Sequence, residues 1–140
     1  MENVKEIIEK AWEDSSLRAN SETKAAIEYV VEQVDKGLLR TAQPNEDGSW
    51  TVNDWVKKAI VMYFPIRQME VQEVGIFEYH DKMKLKSNYA SLGVRVVPPA
   101  VARYGAFIAK GVILMPSYLS YAIIILNLNS LPIKNVSIKS

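Results

Sequence analysis

The chain has 140 residues, a net charge of +1, 49% hydrophobic and 24% charged residues, a globular mix with room for one ordinary domain. It has no cysteine, which excludes disulfides and thiolate metal sites, and no run of more than two adjacent basic residues, so no nucleic-acid or anionic-membrane footprint follows. The segment Met1–Glu6 is charged rather than signal-like, and no apolar run exceeds the six residues of Tyr121 to Leu126, far short of the roughly 20 residues that span a bilayer, so a soluble cytoplasmic protein is expected.

Val4, Ile7, Ile8, Ala11 and Trp12 recur at helical spacing and predict a first amphipathic helix. Ser15 to Asn20 reads as a polar connection. Ile27, Val30, Val31, Val34 and Leu38 mark a second helix, with Ser21 as its expected N-cap and Gly37 as a left-handed C-terminal cap. Short strands are expected at Leu38 to Ala42 and Ser49 to Val52, around the turn-rich Pro44–Gly48. Asn53 is expected to cap a third helix from Asp54 to about Phe64, with the stripe Trp55, Ala59, Ile60, Tyr63 and with Pro65 closing it. Residues 66 to 92 are weakly patterned, and loops with a strand around Ile76 to Tyr79 are expected there.

From Val94 the period changes. Pro98-Pro99 excludes a helix, and Ile108–Ile113 and Leu114–Leu119 read as two successive hexads, each led by an aliphatic residue. A triangular coil has faces of about six residues with one aliphatic side chain per face pointing inward, and small residues at its corners. Two hexads also suit an ordinary strand pair. The repeat ends at Leu119 on this reading.

Gly93-Val94-Arg95-Val96-Val97-Pro98-Pro99-Ala100, Ala102-Arg103-Tyr104-Gly105-Ala106-Phe107-Ile108-Ala109 and Ile113-Leu114-Met115-Pro116-Ser117-Tyr118 closely resemble the 2,3,4,5-tetrahydropyridine-2,6-dicarboxylate N-succinyltransferase family. Ile7–Glu13, Gly37–Ala42 and Gly48–Ile60 resemble that family's N-terminal domain in order and spacing. The likeness runs over residues 1 to 118 and is weakest at 65 to 92. It implies an α+β architecture: an N-terminal α/β domain at 1–93, the first coil of a left-handed parallel β-helix at 94–118, and an atypical tail at 119–140.

The resemblance further implies a cytoplasmic homotrimer. Its reaction would move succinyl from succinyl-coenzyme A, as co-substrate, to the amine of ring-opened tetrahydrodipicolinate in lysine and diaminopimelate synthesis. Active sites would lie between subunits, with no bound cofactor or metal and no nucleic-acid or membrane partner. Arg95 matches the family arginine that binds the dicarboxylate substrate. Its planar guanidinium suits that task, holding a carboxylate through two parallel hydrogen bonds. The bland alternative is a surface ion pair of little worth.

After Tyr118 the family pattern breaks. The family continues with glycine- and acid-bearing hexads, including an aspartate expected opposite the arginine, whereas residues 119–140 contain no Gly, Asp or Glu and only two of the 17 basic residues. The leading expectation is a reading frame shifted near codon 119, which the genomic DNA read in its other two frames decides. The competing one is a genuine variant end, with a closing strand at Ala122 to Leu128 and another at 136 to 138. Tyr121 to Leu126 is an aggregation hazard if exposed.

No catalytic residue is assigned, because the acid–base group belongs to rungs that follow. The 140 residues alone are expected to bind neither coenzyme A nor substrate usefully. Two alternatives stand beside an inactive truncated product: a non-catalytic module that docks on or regulates an intact trimer, and a gene remnant without function. His80, the single histidine, is expected in a solvated loop and Ser117 without a base, while solvation and phosphate contact are both open for Arg103 and Lys110, with solvation favoured. Trp12, Trp50 and Trp55 are read as core, and Asp81-Lys82 as a family-like loop without an assigned role.

Overall fold

The computed structural model describes residues 2–126. Helix α1 (Glu2–Glu13), helix α2 (Ser21–Asp35) and helix α3 (Asp54–Ile66) form around the apolar stripes, and a short 3-10 helix (Ser15–Ala19) joins the first two. Ile8, Ala11, Ile27, Val30, Val31, Val34, Val56, Ala59 and Met62 bury into one core, which Met83 completes. The helices form because their aliphatic residues recur every 3.6 positions and find a common apolar partner there. Arg18 Nε donates to the Ala11 carbonyl at 2.9 Å, which occupies one of the acceptors that α1 leaves unpaired at its end.

The helix ends differ in detail from expectation. Asn20, not Ser21, stands at the N-cap of α2. Asn53 does sit at the start of α3, yet its side-chain amide donates to the Arg40 carbonyl at 2.8 Å instead of capping. Pro65 lies inside the last turn of α3, which runs to Ile66. Gly37 supplies the left-handed end of α2, with φ +72° and its amide on the Val34 carbonyl at 3.0 Å. No larger residue fits there, because a Cβ would come within 2.7 Å of the Phe107 ring.

Strands β1 (Ala42–Pro44) and β2 (Trp50–Val52) pair antiparallel, with Pro44 opposite Trp50. The first starts at Ala42 and not at Leu38, because the Leu38 and Leu39 amides are both engaged by the Gln33 carbonyl at the helix end. Trp50 is 65% exposed on this hairpin, so it is not core; Trp12 is 39% exposed and outside the helical core, and of the three tryptophans Trp55 alone packs against it. Strands β3 (Glu70–Val74) and β4 (Phe77–Asp81) form a second hairpin with Gln72 opposite Tyr79, where the sequence reading has mostly loop.

A single helical turn, α4 (Tyr89–Leu92), leads into six two-residue strands: β5 (Arg95–Val96), β6 (Val101–Ala102), β7 (Phe107–Ile108), β8 (Ile113–Leu114), β9 (Tyr118–Leu119) and β10 (Ile124–Ile125). They pair in parallel as β5 with β8, β6 with β9 and β7 with β10, joining residues 17 or 18 positions apart. One buried residue or more from each pair, among them Ala102, Ile108, Leu114 and Leu119, converges on a second small core. The mixed helix-and-strand architecture is therefore present. Parallel pairing also runs past Leu119, where periodicity in the sequence gives out: Ile124 and Ile125 stack on Phe107 and Ile108, and the Ala109 amide donates to the Ile125 carbonyl at 2.9 Å. The expected strand at 136 to 138, and the end of the one at 122 to 128, lie outside the described residues.

Gly105 and Ala122 occupy the same corner of successive layers, joined by the Ala122 amide on the Gly105 carbonyl at 3.1 Å. Ala122 has φ +60°, a left-handed conformation that costs a residue with a Cβ about 1–2 kcal/mol. Ala122→Gly should therefore raise stability by roughly 1 kcal/mol after the added unfolded-chain entropy is discounted. Urea unfolding would show it, and an unchanged or lowered midpoint would remove the argument.

Candidate functional site

Strand β5 is held by the Arg95 amide on the Val112 carbonyl at 3.0 Å and the Val97 amide on the Leu114 carbonyl at 2.9 Å. Side chains alternate along a strand, so with Val94 buried and Val96 half-buried, the intervening Arg95 is left on the outer surface. Among the described residues no carboxylate lies within ion-pair distance of its guanidinium. The bland reading of Arg95 as one half of a surface ion pair thus has no partner to supply it. Lys110 flanks the same strand, its stem lying over Gly93, where a Cβ would sit 2.9 Å from Lys110 Cγ.

Charge is unevenly distributed along the sequence. Residues 1–81 hold nine basic and all 16 acidic residues, whereas residues 82–140 hold eight basic residues and no acidic one. Any side-chain carboxylate near these basic groups must therefore come from residues 1–81.

Two such carboxylates do. Asp81, at the end of β4, pairs with Arg103 just after β6. Burial works against the charged Asp81 carboxyl, but hydrogen bonds from Arg103 and the Lys82 amide outweigh it and hold its pKa below the usual value. Arg103 is thus engaged and only 21% exposed, which corrects the expectation of solvation. Asp35, the last residue of α2, accepts from Lys86 Nζ at 2.6 Å and from the Gly105 amide at 2.7 Å. Neither partnership was visible in the sequence. The one local signal is an acidic residue at a helix C-terminus, where the helix dipole disfavours it.

The Asp81–Arg103 pair borders a cleft of about 250 Å³ between the β3–β4 hairpin and the β6–β9 pair, lined by Gln72, Tyr79, Met83, Leu85, Val101 and Tyr118. Arg95 is not in that lining, so the structure does not bring the two arginines into one pocket. His80 stands exposed on β4, a strand and not a loop, at the border of the same cleft. Ser117 Oγ donates to the Met115 carbonyl at 2.6 Å and so closes a local turn. Among the described residues no group of three His, Cys, Asp or Glu side chains could hold a metal ion, and no helix is long and apolar enough to cross a membrane.

A family model described as the tetrahydrodipicolinate N-succinyltransferase N-terminal domain matches residues 3–66. The 2,3,4,5-tetrahydropyridine-2,6-dicarboxylate N-succinyltransferase of Variovorax paradoxus is 41% identical over 129 residues, covering 85% of this chain and 47% of the relative. The enzyme of the same name from Paracidovorax citrulli is 43% identical over 129 residues, with the same two coverages. That from Chromobacterium violaceum is 42% identical over 130 residues, covering 86% of this chain and 47% of the relative. The chain spans about half the length of the curated relatives it matches.

Proposed function

The chain carries the N-terminal domain of the tetrahydrodipicolinate N-succinyltransferase family, and on that footing we propose that it is the substrate-holding part of a cytoplasmic acyltransferase. The reaction moves succinyl from succinyl-coenzyme A to the amine of tetrahydrodipicolinate, in lysine and diaminopimelate synthesis. Arg95 carries the reading: an exposed guanidinium with no carboxylate within ion-pair distance among the described residues, on a strand fixed by its neighbours, in the part of the sequence that holds no acidic residue. It is set to take a substrate carboxylate through two parallel hydrogen bonds.

In this proposal the three parallel pairs are the opening layers of a left-handed β-helix. The 17- and 18-residue offsets support it, since three faces of about six residues bring the chain back over itself. Such layers bury their apolar faces only against further layers, and a homotrimer would place substrate sites between subunits.

The chemistry asks for more than Arg95. Attack of an amine on a thioester needs the neutral amine, a group to take its proton, and donors for the tetrahedral oxyanion. Residues 82–140 offer no side-chain carboxylate to serve as that base, and the two that reach them from residues 1–81 are engaged, Asp35 by Lys86 and the Gly105 amide and Asp81 by Arg103. The 140 residues by themselves are therefore inactive in this proposal. Joining residues 1–118 to the part of the Variovorax paradoxus relative that follows its matching segment should restore coenzyme A thiol release with tetrahydrodipicolinate, while the 140-residue chain stays at background. A chimera with native-like circular dichroism and no thiol release would sink the proposal, as would turnover by the chain alone that Arg95→Ala abolishes.

A further inference from the structure

Helix α2 ends against the strand layers, and the contact is built from parts that only make sense together. Asp35 places a negative charge at the carbonyl end of its helix, where the dipole opposes it. Asp35 Oδ1 receives both Lys86 Nζ at 2.6 Å and the Gly105 amide at 2.7 Å, groups 51 and 70 residues away in sequence. The Lys86 side chain is 6% exposed and that of Asp35 18%, so neither charge is hydrated enough to stand alone. Lys86 also belongs to a segment that runs along the layers: its amide donates to the Ala102 carbonyl at 2.8 Å, and Leu85 bridges Arg103. Gly105 is the corner between β6 and β7.

We infer that Asp35 is the lock of a hinge between the helical core and the strand layers, and that releasing it lets the layers open while the helices stay folded. The buried residues fall into two clusters, one built on α1, α2 and α3 with Met83 and the other on β5 to β10 with their flanks, and Tyr104, Tyr121 and Ala122 of the layers pack against the first. An acidic group at a helix end is retained against local preference because it serves both the lysine and the corner amide. The layers, with short strands and a small core of their own, are the part that opens first.

Hydrogen exchange on the full chain tests this. Asp35→Asn keeps the shape of the side chain but leaves Lys86 charged and buried without its counter-charge. The layer amides of Arg103, Phe107 and Ala109, which donate to Leu119, Ile123 and Ile125, should exchange on the order of 100-fold faster. Amides within α2 and α3 should stay within about threefold of wild type. Lys86→Met should accelerate the same layer amides, and it carries the test if the asparagine variant does not fold. Equal acceleration of helical and layer amides in Lys86→Met would overturn the inference, because the contact would then be ordinary support of a single cooperative unit. Unchanged layer amides in that variant would overturn it as well.

Discussion

Alanine at Gly105 should cost the protein about 2–5 kcal/mol, a large share of the roughly 5–15 kcal/mol that holds an ordinary domain folded. Two separate penalties meet at this position. Gly105 has φ +92°, in the region that residues with a Cβ rarely adopt, and the backbone alone contributes about 1–2 kcal/mol. A Cβ there would also lie 2.4 Å from the Tyr121 ring, so the ring must move or the corner must open, an overpacking cost of about 1–3 kcal/mol. The ring has little room to yield. It stacks on Tyr63 at 6.2 Å and tilts against Phe64 at 5.9 Å, both on α3, and belongs with the partly buried residues around the helical core. Burial raises the pKa of its hydroxyl far above the usual tyrosine value, so the group stays neutral at any pH of interest.

The two penalties can be separated. Tyr121→Ala removes the ring and loses its packing, at a cost of about 2–4 kcal/mol for a partly buried aromatic. Combined with Gly105→Ala, it also removes the clash, so the double variant should be less destabilised than the sum by about 1–3 kcal/mol. Chemical denaturation of the four proteins measures this. Strict additivity would mean that the ring and the corner do not press on each other, and the account of Gly105 would reduce to backbone conformation.

Tyr121 also bears on what the sequence discloses. The helices were legible because Val30, Val31 and Val34, or Val56, Ala59 and Ile60, announce a buried face within a single window of residues. The β3–β4 hairpin was not legible. Glu70-Val71-Gln72-Glu73-Val74 has exposed residues on both faces and only two aliphatic side chains, so alternation carries almost no signal. The layer strands are two residues long, too short for any period, and what defines them is pairing with residues 17 or 18 positions on. Past Leu119 the composition no longer resembles the preceding repeat, yet Ile124 and Ile125 need only be aliphatic to stack on Phe107 and Ile108. Packing tolerates a looser sequence than the one that lets a reader recognise it.

The site divides in the same manner. Arg95 was found through its neighbours in sequence, a contiguous motif, while Asp35, Lys86 and the Asp81–Arg103 pair act across 22 to 70 residues. A single sequence gives no means of joining such partners. The tryptophans show the opposite error: Trp50 fits a strand pattern well and is nevertheless exposed, because the β1–β2 hairpin projects from the helical core rather than packing on it.

In the chimera that restores succinyl transfer, Arg95→Lys should lower kcat/KM for the dicarboxylate by about 10- to 150-fold, the worth of a charge-assisted bidentate bond at roughly 1.5–3 kcal/mol. Lysine keeps the charge but cannot present two parallel N–H groups to one carboxylate. The carboxylate held by Arg95 carries the same charge before and during acyl transfer, so the interaction is uniform and its loss should fall on KM with kcat nearly unchanged. Arg95 is exposed and paired with no carboxylate among the described residues, which makes a change in folding stability beyond about 0.5 kcal/mol unexpected. Residual binding should rest on the other basic residues of the 82–118 segment and weaken steeply with salt. Steady-state thiol release at two ionic strengths resolves all of these. A variant with both KM and kcat unaltered would show that Arg95 does not touch the substrate, and a fall confined to kcat would place it at the reacting centre, where the charge changes.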